Sequence, residues 1–295
     1  MAVQDILTAQ RLSAFKRLEL IARGVVEGFI TGMHDSPFKG FAVEFAEHRE
    51  YVAGDDLKHL DWKLYAKLDR YYIKQYEEDT EVRAHIVLDT SGSMGYSSDV
   101  YTKLDYGRFI AAIFSYIFLQ QNDSIGIVTC DSKMNNYLPP RSTPSHYQQI
   151  INTLDHVAPG NDTGLGNVLH SLANLIKRRA LIIIISDFFD SPEDLARALS
   201  HFSHKRHEVI VCQVLDRKEI DFPFRDLTQF ECLESTLKIM VDPLRIKEEY
   251  NKQFAEHQRQ LRKTCHRLRI DFFQIFTDEP FERTLAAYLS KRVKR

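Results

Sequence analysis

The chain has 295 residues, room for one large domain or two smaller ones. A hydrophobic fraction of 44% with 11% aromatic residues supplies a packed core and excludes global disorder. Lys+Arg 39 against Asp+Glu 41 leaves a net charge of -2, which excludes a protein whose main work is coating nucleic acid. The longest clean apolar run, residues 181–185, is far short of the ~20 residues a membrane helix needs. The start, Met1-Ala2-Val3-Gln4-Asp5, has no basic stretch leading into an apolar core. We therefore expect no membrane span, no signal peptide and a cytoplasmic location. Cys130, Cys212, Cys232 and Cys265 form no Cys-x-x-Cys pair, so reduced thiols are expected.

Residues 9–33 read as an amphipathic helix. Leu12, Phe15, Leu18, Ile21, Val25 and Phe29 recur at spacings of three and four, a stripe that this chain or a partner must cover. Residues 36–80 are rich in Phe, Tyr and Trp62 but lack a helical period. They read as short strands and turns, with a turn at 53–56. From residue 82 the pattern becomes regular. Strands are expected at 82–88, 124–130, 135–138, 180–186, 208–215 and 270–276, with a short pair within 228–241. Helices are expected at 101–121, 145–157, 164–178, after Ser191-Pro192, after Asp242-Pro243, and at 280–293. Strands separated by helices require crossovers. The fold class is therefore α/β, a doubly wound and mostly parallel sheet with helices on both faces. The expected boundaries are 1–35 for the amino-terminal helix, 36–81 for the β-rich segment and 82–295 for the large domain.

In such a sheet, functional groups gather beyond the carboxyl ends of the strands. Two expected strand ends carry aspartates, Asp89-Thr90-Ser91-Gly92-Ser93 and Ser186-Asp187, and a loop at 159–164 contains Thr163. Asp89, Ser91, Ser93, Thr163 and Asp187 are all hard oxygen donors, which suit Mg²⁺, or Mn²⁺ in its place. Two carboxylates only neutralise a divalent ion. Hydroxyl ligands leave it electrophilic, with an outward face for a partner's Asp or Glu.

These residues resemble the metal-ion-dependent adhesion site of the von Willebrand factor type A domain, and the likeness covers about 82–295. The resemblance implies that Ser91, Ser93 and Thr163 coordinate the ion, with Asp89 and Asp187 acting directly or through water. Thr143 and Asp162 remain alternatives for the threonine position. A second likeness covers Gly40-Phe41-Ala42-Val43-Glu44-Phe45, Arg49-Glu50-Tyr51-Val52-Ala53-Gly54-Asp55-Asp56, His59-Leu60-Asp61-Trp62 and Tyr72-Ile73-Lys74-Gln75-Tyr76-Glu77. That segment resembles the bacterial domain-of-unknown-function fifty-eight family, which joins it to a type A domain. The resemblance implies an accessory protein acting beside a MoxR-type AAA+ ATPase.

Other clusters carry blander readings. Asp55, Asp56, His59 and Asp61 suit turn and anchoring roles better than acid–base chemistry. His201, His204 and His207 fall at a helix end, where cationic side chains suit the dipole. The basic run at 291–295 reads as a solvated terminus. The expected function is a non-catalytic, metal-dependent interaction module that binds an acidic group of a protein partner, the ATPase or its client. A metal-dependent hydrolase and a scaffold with no metal in the site are the alternatives. No Gly-x-x-x-x-Gly-Lys loop occurs to bind nucleotide.

Overall fold

A computed structural model describes residues 18–32, 48–50, 65, 71–74, 82–160, 164–234 and 237–280. The chain divides into two compact units. One is Met33–Glu81, and the other joins residues 1–32 to residues 82–295. The helix α1 (Leu18–Gly32) thus belongs with the large unit rather than standing as a separate amino-terminal piece. In the smaller unit, β1 (His48–Glu50) runs antiparallel to β2 (Tyr72–Lys74), with His48 opposite Lys74. The rings of Tyr65 and Tyr71 stack there with centroids 4.6 Å apart. The expected turn at 53–56, the group Asp55, Asp56, His59 and Asp61, and Trp62 lie outside the described residues.

The large unit continues with β3 (Arg83–Asp89), α2 (Lys103–Gln120), β4 (Ser124–Cys130), β5 (Met134–Arg141) and α3 (Pro144–His156). Next come α4 (Leu165–Leu175), β6 (Leu181–Ser186), α5 (Pro192–His204), β7 (Glu208–Leu215) and the short α6 (Arg217–Asp221). The hairpin β8 (Thr228–Glu231) and β9 (Lys238–Val241) precedes α7 (Pro243–Arg267) and β10 (Asp271–Phe276). The strand order in the main sheet is β10-β7-β6-β3-β4-β5. Every pairing is parallel except β4 with the edge strand β5. This is the doubly wound α/β sheet implied by the type A resemblance.

Alternation along the strands explains the two layers. On β3, Ala84, Ile86 and Leu88 join Ile110, Phe114 and Phe118 of α2 in one core, while Val87 points into the other. On β6, Leu181, Ile183 and Ile185 enter the first core, and Ile182 and Ile184 meet α4 and α5 in the second. All five are buried, so a run apolar at every position is what a strand covered on both faces requires. Each such side chain contributes ~1.5–3 kcal/mol by leaving water.

Where its side chains are described, the apolar stripe of α1 is covered by this chain itself. Leu18, Ala22, Val25 and Val26 pack into the first core beside α2. Residues 9–17, part of the same expected helix, lie outside the described residues, as does the expected helix at 280–293 beyond Pro280. The elements observed between 82 and 280 otherwise fall where the periodicity places them. Two features carry no apolar signal, the single turn of 3-10 helix Gly92–Gly95 and α6. Both are too short to show a period, and α6 is set by a capping box between Asp216 and Glu219.

Candidate metal and partner site

The chain crosses from β3 to β4 on one side and later returns to lay β6 on the other side of β3. The carboxyl ends of β3 and β6 are therefore neighbours at the switch point of the sheet, where a crevice must open. Leu88 pairs with Ile185 in the ladder. Asp89 is the last residue of β3 and Asp187 follows the last residue of β6. Sequence positions 98 apart thus become adjacent loops.

Asp89 is only 2% exposed. Its Oδ1 accepts from the Ser91 backbone N–H at 2.8 Å, and its Oδ2 from the Ser186 hydroxyl at 2.5 Å. Burial, reinforced by the charge of Asp187, pushes its pKa up to about 7 against the lowering effect of those hydrogen bonds. The Ser91 and Ser93 hydroxyls lie 3.1 Å apart and face one another. The turn Gly92–Gly95 brings them together, opened by the hydrogen bond from the Met94 N–H to the Ser91 carbonyl.

Asp187 is held differently. Its Oδ2 accepts from Lys103 Nζ at 2.7 Å, and the same ammonium donates to Glu219 Oε1 at 2.6 Å. Lys103 is 0% exposed, and its Nζ lies 5.0 Å from the centroid of the Phe189 ring. Burial works against its charge, but Asp187 and Glu219 outweigh it and hold its pKa above the ordinary lysine value. Glu219 is itself raised by burial, with Lys103 opposing. The other Glu219 oxygen accepts from the Asp216 N–H, closing the α6 cap. The loop after β6 is strained. Phe188 takes a left-handed backbone with φ 60, uncommon for a bulky residue. It is held there by its N–H to Ser186 Oγ at 2.8 Å and by the contact of its carbonyl with His257 Nε2 at 2.8 Å.

Asp89, Ser91 and Asp187 are buried, and the tip of the β8–β9 hairpin lies on the Gly92 turn. The Ser93 N–H donates to Glu234 Oε1 at 3.3 Å. A carboxylate of the same chain thus stands at the Gly92 turn.

Four of the five expected residues, Asp89, Ser91, Ser93 and Asp187, are brought to the same strand ends. Thr163 and the alternative Asp162 lie outside the described residues. The other alternative, Thr143, is the cap of α3, where its side chain accepts from the His146 N–H at 3.3 Å. The sequence reading missed Lys103, Ser186, Glu219 and Glu234. A signal existed for Lys103, a cation in the first turn of a helix, where the dipole disfavours it unless a specific anion is near.

The histidine run does not converge. His207 Nδ1 accepts from the Ala180 N–H at 3.2 Å, and His204 Nδ1 lies 2.7 Å from the Ser200 carbonyl. His201 instead meets His170 of α4, Nδ1 to Nδ1 at 3.2 Å. Among the described residues no group of three His, Cys, Asp or Glu side chains is disposed to hold a metal. No helix among them is long and apolar enough to cross a membrane.

Residues 47–260 match the family described as "Protein of unknown function DUF58", and the chain belongs to that family. An uncharacterized protein of Mycobacterium tuberculosis is 24% identical over 293 residues, spanning 98% of this chain and 92% of its own. Among solved structures, the conserved hypothetical protein BatB from Bacteroides thetaiotaomicron is similar with a TM-score of 0.49 and 15% identity. That match covers 72% of this chain and 100% of that one. An aerotolerance-related membrane protein from Bacteroides fragilis gives 0.46 and 14%, covering 71% and 99%.

Proposed function

We propose that the protein is a non-catalytic interaction module in which a hard divalent cation, Mg²⁺ or Mn²⁺, presents its free face to an acidic side chain of a protein partner. The ion would be held by Asp89, Ser91 and Ser93, with Thr163 and Asp187 as the type A resemblance implies. When bound, it supplies a positive centre that attracts a carboxylate oxygen.

The observation that carries this reading is a surplus of negative charge beside a pair of hydroxyls. Asp89, Asp187 and Glu219 bring three carboxylates to the cluster, and Lys103 is the ammonium that joins two of them. Fully ionised, these four groups are two charges short of neutrality, the deficit one divalent cation fills. The facing Ser91 and Ser93 oxygens, 3.1 Å apart, add neutral hard donors beside Asp89. The residues present therefore fit a hard cation.

A hydrolase needs a base free to act on a bound water. Glu219 is engaged by Lys103 and by the Asp216 N–H, and His257 by the Phe188 carbonyl, which supports binding over turnover. The partner we propose, following the family resemblance, is a MoxR-type AAA+ ATPase or its client, met in the cytoplasm. Calorimetric titration of Mg²⁺ into chelator-treated protein is the test. Heat and a raised Tm in the wild type, both absent in Asp89→Ala, are expected. No response in the wild type at millimolar ion would favour a metal-free scaffold. Co-purification with the ATPase in Mg²⁺, lost in chelator, tests the partner.

A further inference from the structure

The β8–β9 hairpin is a thin piece of structure. Two strands of four residues pair antiparallel from Thr228 opposite Val241 to Glu231 opposite Lys238. Neither strand is buried, and Leu237, Ile239 and Met240 are about half exposed or more. A two-stranded ribbon of this kind is marginally stable by itself. The ribbon is anchored by aromatic packing of Phe230, opposite Ile239 and one pair from the turn, whose ring stacks on Phe222 with centroids 5.8 Å apart and sits edge-on to Phe224 at 5.4 Å. Its tip has a different attachment, the Gly92 turn.

That attachment is close. A Cβ on Gly92 would lie 2.5 Å from the Leu233 carbonyl oxygen and 3.0 Å from the Glu234 Cγ. Only glycine between the two serines lets the tip approach this far. Once there, Glu234 puts a carboxylate oxygen 3.3 Å from the Ser93 N–H, beside the Ser91–Ser93 hydroxyl pair. A further anion at this turn is favourable when a cation sits beside the serine pair.

We infer that Glu234 is a built-in occupant of the strand-end site, holding by way of the hairpin tip the place an acidic partner residue takes. The inference rests on the metal-and-carboxylate reading above. The turn beyond the Phe230 anchor is the part that moves, and an acidic protein segment binds by displacing Glu234 rather than by entering an open mouth. The partner's apparent affinity is then lowered in proportion to the fraction of molecules with the tip released.

The test uses Mn²⁺ as the ion and acetate as the carboxylate probe, read by water-proton relaxation of the bound ion in the full chain. Glu234→Ala should still bind Mn²⁺ but show a larger relaxation enhancement, because water takes the vacated position. Acetate should suppress that enhancement at concentrations at least tenfold lower than in the wild type. Gly92→Ala, which pushes the tip away without removing its carboxylate, should move both readouts in the same direction. Thermal melts establish that each variant is folded. Mn²⁺ bound by wild type and both variants with equal enhancement and equal acetate sensitivity would overturn the Glu234 inference and leave the metal site standing. A wild type that binds no Mn²⁺ would overturn the metal reading itself, and the inference with it.

Discussion

Asp89 and Asp187 end neighbouring parallel strands in equivalent places, yet the fold treats them oppositely. Asp187 is met by the buried ammonium of Lys103, which Glu219 secures from the far side. Among the described residues Asp89 receives neutral donors, Ser91 and the Ser186 hydroxyl, and its pKa rises to about 7. The difference is one long side chain on α2. A strand-end carboxylate is neutralised within the chain when an opposing helix reaches it with a cation, and is left with hydrogen bonds from neutral donors when none does.

The largest break in that comparison is removal of Lys103. Lys103→Met leaves Asp187 and Glu219 buried without their counter-ion and should cost about 3–5 kcal/mol of stability, measured by urea unfolding. A cost below about 1 kcal/mol would show that Asp187 does not depend on the lysine.

His85 offers a titration on the strand that carries Asp89. It is buried, its Nδ1 has no hydrogen-bond partner among the described residues, and burial first, then His207 and Arg83, lower its pKa from 6.5 to about 4. Between those values the unfolded chain binds more protons than the folded one, so stability falls as pH drops from about 6.5 towards 4. The loss attributable to His85 reaches about 3 kcal/mol at the acid end. The difference in unfolding free energy between wild type and His85→Gln, followed from about pH 7.5 to about pH 4.5, separates the titration of His85 and its coupling to His207 from that of Asp89. A flat difference would place His85 in a more polar setting than the structure shows.

Ser186 sharpens the Asp89 side, since its hydroxyl donates to Asp89 and accepts from the Phe188 N–H. Ser186→Ala should cost about 2 kcal/mol, because a buried carboxylate oxygen loses its donor. The smallest effect belongs to Thr102, which caps the helix carrying Lys103. Its hydroxyl accepts from the Asp105 N–H at 3.0 Å, and Asp105 Oδ2 accepts from the Thr102 N–H at 3.1 Å. Thr102→Ala should cost about 1 kcal/mol in the same unfolding measurement.

Much of this architecture is legible in the order of residues alone. The run 181–185 fits only a strand covered twice, and Ser191-Pro192 and Asp242-Pro243 mark helix starts that the caps on α5 and α7 match. Tyr250, Phe254, His257, Leu261, Cys265 and Leu268 recur at spacings of three and four, and the first five lie along α7 with Leu261 and Cys265 buried, while Leu268 is its C-cap. What stays hidden is long-range and polar. Glu219 and Glu234 sit in segments with no periodicity, and nothing in their neighbourhood announces Lys103 or Ser93 more than a hundred positions away.

The sequence by itself determined the elements, because 2-fold and 3.6-fold apolar periods and caps act over a few neighbouring residues. It also nominated Asp89, Ser91, Ser93 and Asp187, because those oxygens cluster at expected strand ends. Only the tertiary structure decided that Asp187 has a lysine of its own and that the Gly92 turn lies beneath a hairpin. Those facts depend on the order of strands about the switch point, which brings distant loops together.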